Sequence, residues 1–172
     1  MDIASAARVA SLISASYGFF GNLGAFNTGV PPIVRDPLNP CGFTPQQRLR
    51  AWVQYVGIGH INFAPTGPIT MGLQLLSAYL ATDSQIRNIN VAAGVAALTI
   101  VAFTLKFMFR INEEVSILDT KNVLEGKAEH SAEAKRSLQL IDQWSFCHRI
   151  REGIFGVMWG LVVWAVLLEK QL

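Results

Sequence analysis

Apolar residues cluster four times along the chain, and these clusters predict four membrane-spanning helices. They cover approximately residues 3–26, 51–82, 89–109 and 148–168. A helix of about 20 residues crosses the hydrocarbon core of a bilayer. The N-terminal cluster has a single basic residue, Arg8, and lacks a clean cleavage site, so we expect a retained span rather than a signal peptide. The pattern predicts an all-α integral membrane four-helix bundle, formed as a single domain by residues 1–172.

The connection between the third and fourth spans continues a helical pattern beyond the predicted membrane. Its apolar stripe consists of Ile111, Val115, Leu118, Leu138 and Ile141. Gly126 is suited to end a helix, and Ser131 is suited to cap the next one. The sequence therefore predicts that spans 3 and 4 extend as an antiparallel cytosolic hairpin, with continuous helix over about residues 84–125 and 131–168.

The connection between the first two spans has a different composition. Glycine and proline are frequent from Gly29 to Gly42. Such a segment favours turns and loops. We therefore expect residues 29–42 to be non-helical and to fold over the bundle as a lid.

Basic residues are distributed unequally between the two sides of the predicted bundle. Eleven of the fourteen Lys and Arg residues lie in or beside the 1–2 and 3–4 connections, and the other three are Arg8, Arg87 and Lys170. Basic residues near the ends of spans favour the cytosol. We therefore predict cytosolic long connections and luminal termini, with the protein integral to the endoplasmic reticulum membrane.

Composition and charge narrow the possible partners. The chain is 51% hydrophobic and only 15% charged, whereas soluble domains are nearer a quarter charged. A net charge of +2 without a basic run among aromatics argues against nucleic acid. The expected partners are the lipid bilayer and a hydrophobic small molecule, and the oligomeric state stays open. Cys41 and Cys147 show no metal-binding or redox spacing, so they could pair only if the fold brings them together.

Polar side chains gather near the same predicted end of all four spans. They are Asn22 at the end of span 1, Trp52, Tyr55 and His60 in the first half of span 2, Asn112 and Glu113 after span 3, and Trp144, His148 and Arg151 at the start of span 4. Ionisable residues within a bilayer usually mark a functional site. A pocket between helices is a common place for a small ligand. We predict that these residues surround such a pocket.

Each of these residues also has a structural interpretation. His148 and Arg151 are suited to anchoring the chain among lipid headgroups. His60 lies in a Gly- and Pro-rich segment, where it can bond a free backbone carbonyl. Trp52 and Tyr55 fit an interfacial aromatic belt. The two interpretations predict opposite orientations, since a site residue faces the bundle interior.

A metal site is not predicted. The three histidines show no ligand spacing with one another or with a carboxylate. A metal or haem centre stays open as an alternative if His60 and His148 meet in space. A pairing of Glu113 with Arg151 is expected.

Three short patterns carry a resemblance to a known family. They are Trp52-x-x-Tyr55-x-Gly57, Asn112 just after span 3, and Trp144-x-x-x-His148-x-x-Arg151. They resemble the anthrone oxygenase-like family, small four-helix membrane proteins common in fungal polyketide gene clusters. The resemblance covers about residues 11–168, and the Trp-His-Arg pattern is its most specific part. Where a familiar member has a Pro-Thr-Asn-like turn, this chain has Arg110-Ile111-Asn112.

The resemblance implies oxidation of an anthrone methylene to a quinone carbonyl by O2, without an organic cofactor. His148 or His60 would act as the general base, because histidine titrates near neutral pH. Arg151 and Asn112 would hold the developing oxyanion. The substrate-binding residues would be Trp52, Tyr55, Trp144, Glu113 and Asn22.

Two other functions fit the same residues. One is a non-oxidative cyclase or isomerase that acts on a similar secondary metabolite through the same acid–base site. The other is a non-catalytic membrane adaptor or small-molecule carrier that uses the hairpin for docking. Oxygen consumption distinguishes the oxygenase from both.

Overall fold

The computed structural model describes residues 3–39 and 41–169, which form helices and short connections. The helices are α1 Ile3–Thr28, α2 Val30–Arg35, α3 Pro45–Phe63, α4 Thr66–Leu80, α5 Ser84–Phe103, α6 Phe109–Thr120 and α7 Ala132–Glu169, and a π-helical segment, Thr104–Met108, joins α5 to α6. Three of the resulting helical stretches are long and apolar enough to cross a membrane: 3–35, 84–120 and 132–169. The predicted all-α membrane bundle is confirmed.

The helices form two stacked regions. In the first, α1, α4, α5 and α7 form a ring of four neighbours around a core that includes Ala97, Phe155 and Met158. In the second, α2, α3, α6 and the first half of α7 enclose a separate core. The long helix α7 belongs to both regions. The candidate site lies where they meet.

Polar contacts join the helices of the first region. The Ser14 hydroxyl lies 2.8 Å from that of Thr70, which ties α1 to α4. The indole N–H of Trp159 donates to Ser16 Oγ at 3.1 Å, which ties α7 to α1. Inside a bilayer, such bonds between helices hold their relative position where apolar packing alone gives little driving force.

The second predicted span, 51–82, is not one continuous helix. It is divided into α3 and α4 by Ala64 and Pro65, and proline cannot donate the backbone bond that would continue a helix. Helix α3 also begins earlier than predicted. Thr44 and Gln47 form a reciprocal capping box, with Pro45 in the first turn, and this cap fixes the start of the helix.

The extended hairpin of spans 3 and 4 is confirmed. The helical stretch from Ser84 ends at Thr120, five residues before the predicted end, and a turn with positive φ at Asn122 and Gly126 follows. Gly126 therefore lies in the turn and does not end the helix itself. Ser131 caps α7 as predicted, since its hydroxyl accepts a bond from the Ala134 N–H at 3.2 Å.

The connection between spans 1 and 2 is partly helical, so the prediction of a non-helical segment was wrong for α2. Pro31 and Pro32 occupy its first turn, where a missing N–H costs nothing. Val34 is fully buried, and Arg35 Nε donates to Asp142 Oδ1 at 3.0 Å. These contacts hold α2 against the hairpin half of α7. Elsewhere, Cys41 and Cys147 are both free and do not pair.

Candidate active site

A cavity of about 380 Å³ lies between the two regions of the bundle. It is lined by seven of the nine residues predicted from the sequence: Asn22, Tyr55, His60, Asn112, Trp144, His148 and Arg151. Its remaining wall is almost entirely apolar and includes Ile100, Met108 and Phe155. A mainly apolar cavity with a few convergent polar groups is the usual form of a small-molecule site. No residue of α2, which the structure describes in full, lines it, so the predicted lid does not cover this cavity.

Two local irregularities shape the wall of the cavity. The break between α3 and α4 brings Phe63, Ala64 and Gly67 to the lining, and the π-helical segment brings Thr104 and Met108. A π-helical turn widens a helix by one residue and is frequent at functional sites. The cavity therefore exists where two of the spans depart from regular α-helix.

His148 is the most enclosed polar group of the site, with a side chain only 1% exposed. Its Nδ1 lies 2.8 Å from Nη2 of Arg151, and its Nε2 lies 3.1 Å from Oε1 of Glu152. A guanidinium can only donate, so Nδ1 must be the acceptor. The proton of the neutral imidazole is then on Nε2, facing the Glu152 carboxylate.

Glu152 was not predicted from the sequence. It is four residues after His148, so both lie on one face of α7, and this spacing was the available signal. The expected pairing of Glu113 with Arg151 does not form. Arg151 instead contacts His148 and lies 3.5 Å from Oδ1 of Asn22, while Glu113 is exposed and lines a different cavity.

Two aromatic rings that are also 6.4 Å from each other pack against the His148 imidazole. The Trp144 ring stacks on it with centroids 4.8 Å apart and an angle of 12°, and the Phe26 ring lies 4.5 Å away. Trp52 meets Trp144 edge to face at 5.1 Å and is fully buried. Trp52 is not part of the lining, so it supports Trp144 instead of stacking directly on a ligand there.

His60 and Asn112 form a separate polar pair in the cavity wall. His60 Nε2 lies 3.3 Å from Nδ2 of Asn112, which joins α3 to α6. His60 is exposed and Asn112 is half-buried, in contrast to the fully buried His148. Within the described residues, no group of three or more His, Cys, Asp or Glu side chains is arranged to hold a metal ion.

Besides Nε2 of His148, which lies 3.1 Å from Glu152 but forms no hydrogen bond with it, two buried donors in the lining lack acceptors. The Trp144 indole Nε1 and the Arg151 Nε have no hydrogen-bond partner among the described residues. Buried polar groups in native structures are almost always hydrogen-bonded. The two N–H groups are therefore available to an oxygen atom of a bound ligand, beside the His148 ring.

Together, the apolar helices and the cavity define an integral membrane protein with a mainly apolar internal cavity. Residues 52–161, which make up more than half of the chain, match the family model described as anthrone oxygenase. The chain therefore belongs to the anthrone oxygenase family. Neither the curated proteins nor the solved structures compared with the chain include a match.

Proposed function

We propose that the protein oxidises a membrane-dissolved, anthrone-like aromatic polyketide to a quinone with O2, and that the reaction takes place in the cavity beside His148. The family match supports the reaction class. The observation that carries the assignment to this cavity is the pair of unpartnered donors, Trp144 Nε1 and Arg151 Nε, next to a buried imidazole.

The reaction needs a base and an oxyanion holder. The methylene of an anthrone is acidic because its deprotonation gives an aromatic anthrolate. The resulting carbanion adds O2 and a proton to form a hydroperoxide, which loses water to leave the quinone carbonyl. One O2 is consumed for each methylene, and its second oxygen atom leaves as water.

In this proposal, Arg151 connects the role of the base with that of the oxyanion holder. In the structure, its Nη2 donates a hydrogen bond to Nδ1 of His148 at 2.8 Å. When a substrate oxygen binds, Arg151 turns towards the developing oxyanion, and Nδ1 becomes free to accept the substrate proton. Glu152, 3.1 Å from Nε2, stabilises the imidazolium that forms.

The remaining residues position the substrate. Tyr55 and Trp144 offer aromatic surface, and Asn22 holds Arg151 from the opposite helix. Asn112 offers an unpartnered Oδ1 that can accept a bond from a phenolic hydroxyl. We place the protein in the endoplasmic reticulum membrane, with its long connections in the cytosol and the substrate supplied from the bilayer.

Oxygen uptake with purified protein tests this proposal. The protein in lipid nanodiscs is mixed with 1,8-dihydroxyanthrone, and O2 consumption and quinone absorbance are followed together, with empty nanodiscs as the control for spontaneous oxidation. We expect equal rates of O2 consumption and quinone formation, well above the control. Conversion without O2 consumption would support a cyclase or isomerase. Tight substrate retention without conversion would support a carrier.

A further inference from the structure

A second cavity, of about 360 Å³, lies wholly between α3 and α6. Four of its lining residues also line the cavity beside His148, which we call the inner cavity: Val56, His60, Phe109 and Asn112. We call it the outer cavity. Because the two cavities share a wall, a ligand in the outer cavity is one side-chain layer away from the site beside His148.

The shared wall contains the hydrogen-bonded pair His60 and Asn112, whose nitrogens lie 3.3 Å apart. Among the described residues, the other hydrogen bonds between α3 and α6 are those of Gln46 and Arg50 with Asp119, at the opposite end of these helices. At the cavity end, therefore, a single neutral hydrogen bond among the described residues joins the two helices. Such a contact is readily exchanged for bonds to another partner.

The outer cavity offers hydrogen-bonding groups to a ligand. Trp52 lines it, and the indole Nε1 of this fully buried residue has no partner among the described residues. Asn112 lines it too, and its Oδ1 is a buried acceptor without a partner. One donor and one acceptor in a wall with Val53 and Val115 match a planar ring system that carries a carbonyl and a hydroxyl group.

The surface around the outer cavity is apolar on one side only, since exposed Glu113 and Ser116 line its other side. Ile58, Ile61, Leu105 and Phe109 are each about 59–79% exposed on the outside of α3, α6 and the π-helical segment. Exposed apolar side chains on a membrane bundle face lipid. The side with Glu113 lies just beyond the predicted end of span 3, so the outer cavity opens at the membrane surface, where a phenolic ketone can enter from the bilayer.

The helices that form the shared wall are interrupted next to it. The π-helical segment ends one residue before Phe109, and the break at Ala64–Pro65 follows shortly after His60. Interruptions of this kind let a helix shift locally without disturbing the rest of the bundle. They give the wall a means to open.

We propose that the outer cavity is an access site for the substrate, a proposal that rests on the proposed function. It takes a planar phenolic ketone from the bilayer, and separation of His60 from Asn112 admits this substrate to the inner cavity. His60 is then a residue of the access path instead of the general base.

Gly57 allows a direct test, because it lines the outer cavity but not the inner one. A Cβ at Gly57 meets nothing within 4 Å, so Gly57→Trp can fill the cavity without a backbone clash. Gly72→Trp is the matched control, since Gly72 is exposed on α4 and also has open space. Binding of 1,8-dihydroxyanthrone is followed under argon by stopped-flow quenching of tryptophan fluorescence, which removes turnover from the measurement.

For Gly57→Trp we expect association and dissociation to slow together by roughly tenfold, with little change in Kd, because an obstructed path affects both directions. Gly57→Leu should slow both rates to a smaller extent, and Gly72→Trp should match the wild type. Equal association rates in all four proteins would overturn the access site alone. Absence of binding to the wild type would overturn the proposed function as well.

Discussion

At the residue scale, the environment of His148 comes from its own helix. Trp144 is four residues before it, and Arg151 and Glu152 are three and four residues after it, so all of them lie on one face of α7. This spacing lets a single helix supply the proposed base, its charged neighbours and the ring that packs against it. Asn22 and Phe26 of α1 complete the surroundings.

Arg151→Lys tests the oxyanion role. We expect quinone formation to fall about 10²-fold, the size of effect seen when an oxyanion donor is removed, because lysine keeps the charge but loses the planar fork. His130→Ala, in the exposed turn before α7, is the control and should keep wild-type turnover. Turnover of Arg151→Lys equal to that of the control would show that the guanidinium holds no oxyanion.

Glu152 is tested by a graded pair of substitutions. Glu152→Gln removes the negative charge beside Nε2 of His148, and we expect turnover to fall about tenfold or more because the imidazolium loses its counter-charge. Glu152→Asp keeps the charge and should restore part of the rate at an unchanged melting temperature. Equal activity of the two variants would assign Glu152 a packing role only.

At the element scale, the close approach of α1 to α4 and α7 depends on Gly18. A Cβ at this position would lie 2.9 Å from both Phe155 Cε1 and Thr66 Oγ1. We expect Gly18→Val to destabilise the protein by about 1–3 kcal/mol through overpacking, with a lowered melting temperature in detergent. Gly24→Ala on the same helix has open space and should not lower it. Equal melting temperatures would contradict this packing.

The positions of the long helices, and the grouping of Trp144, His148 and Arg151 on one face of α7, were predictable from sequence because they depend on the spacing of residues along one helix. The break at Pro65 and the helical turn at Pro31 were not, because a proline can either end a helix or begin one and only the fold decides. Glu152 was missed for a related reason. The acidic residue of the site was sought on another span, at Glu113, whereas the structure places Glu152 beside His148 on the same helix.

At the scale of the whole molecule, the site lies at the junction of two differently built regions. The ring of α1, α4, α5 and α7 fixes the position of the α7 face that carries His148. Helices α3 and α6, with the interruptions that follow and precede them, form the opposite wall. In our proposal, the first wall carries the chemistry and the second wall admits the substrate.

The orientation of the molecule in its membrane is a further prediction. Eleven of the fourteen Lys and Arg residues lie beside the long connections, so we expect those connections in the cytosol. Tags at both termini should then resist protease in sealed microsomes and become accessible only after permeabilisation. Digestion of a terminal tag in sealed microsomes would reverse the orientation.

The central claim, that His148 performs the proton transfer in the inner cavity, is tested most directly by His148→Ala. Quinone formation and O2 uptake with 1,8-dihydroxyanthrone are measured for the wild type, His148→Ala and His130→Ala in nanodiscs, after correction for spontaneous oxidation. We predict a loss of about 10²–10⁴-fold for His148→Ala, the usual size of general acid–base catalysis, and no loss for His130→Ala. Near-wild-type turnover of well-folded His148→Ala would contradict the account and make His60 the candidate base.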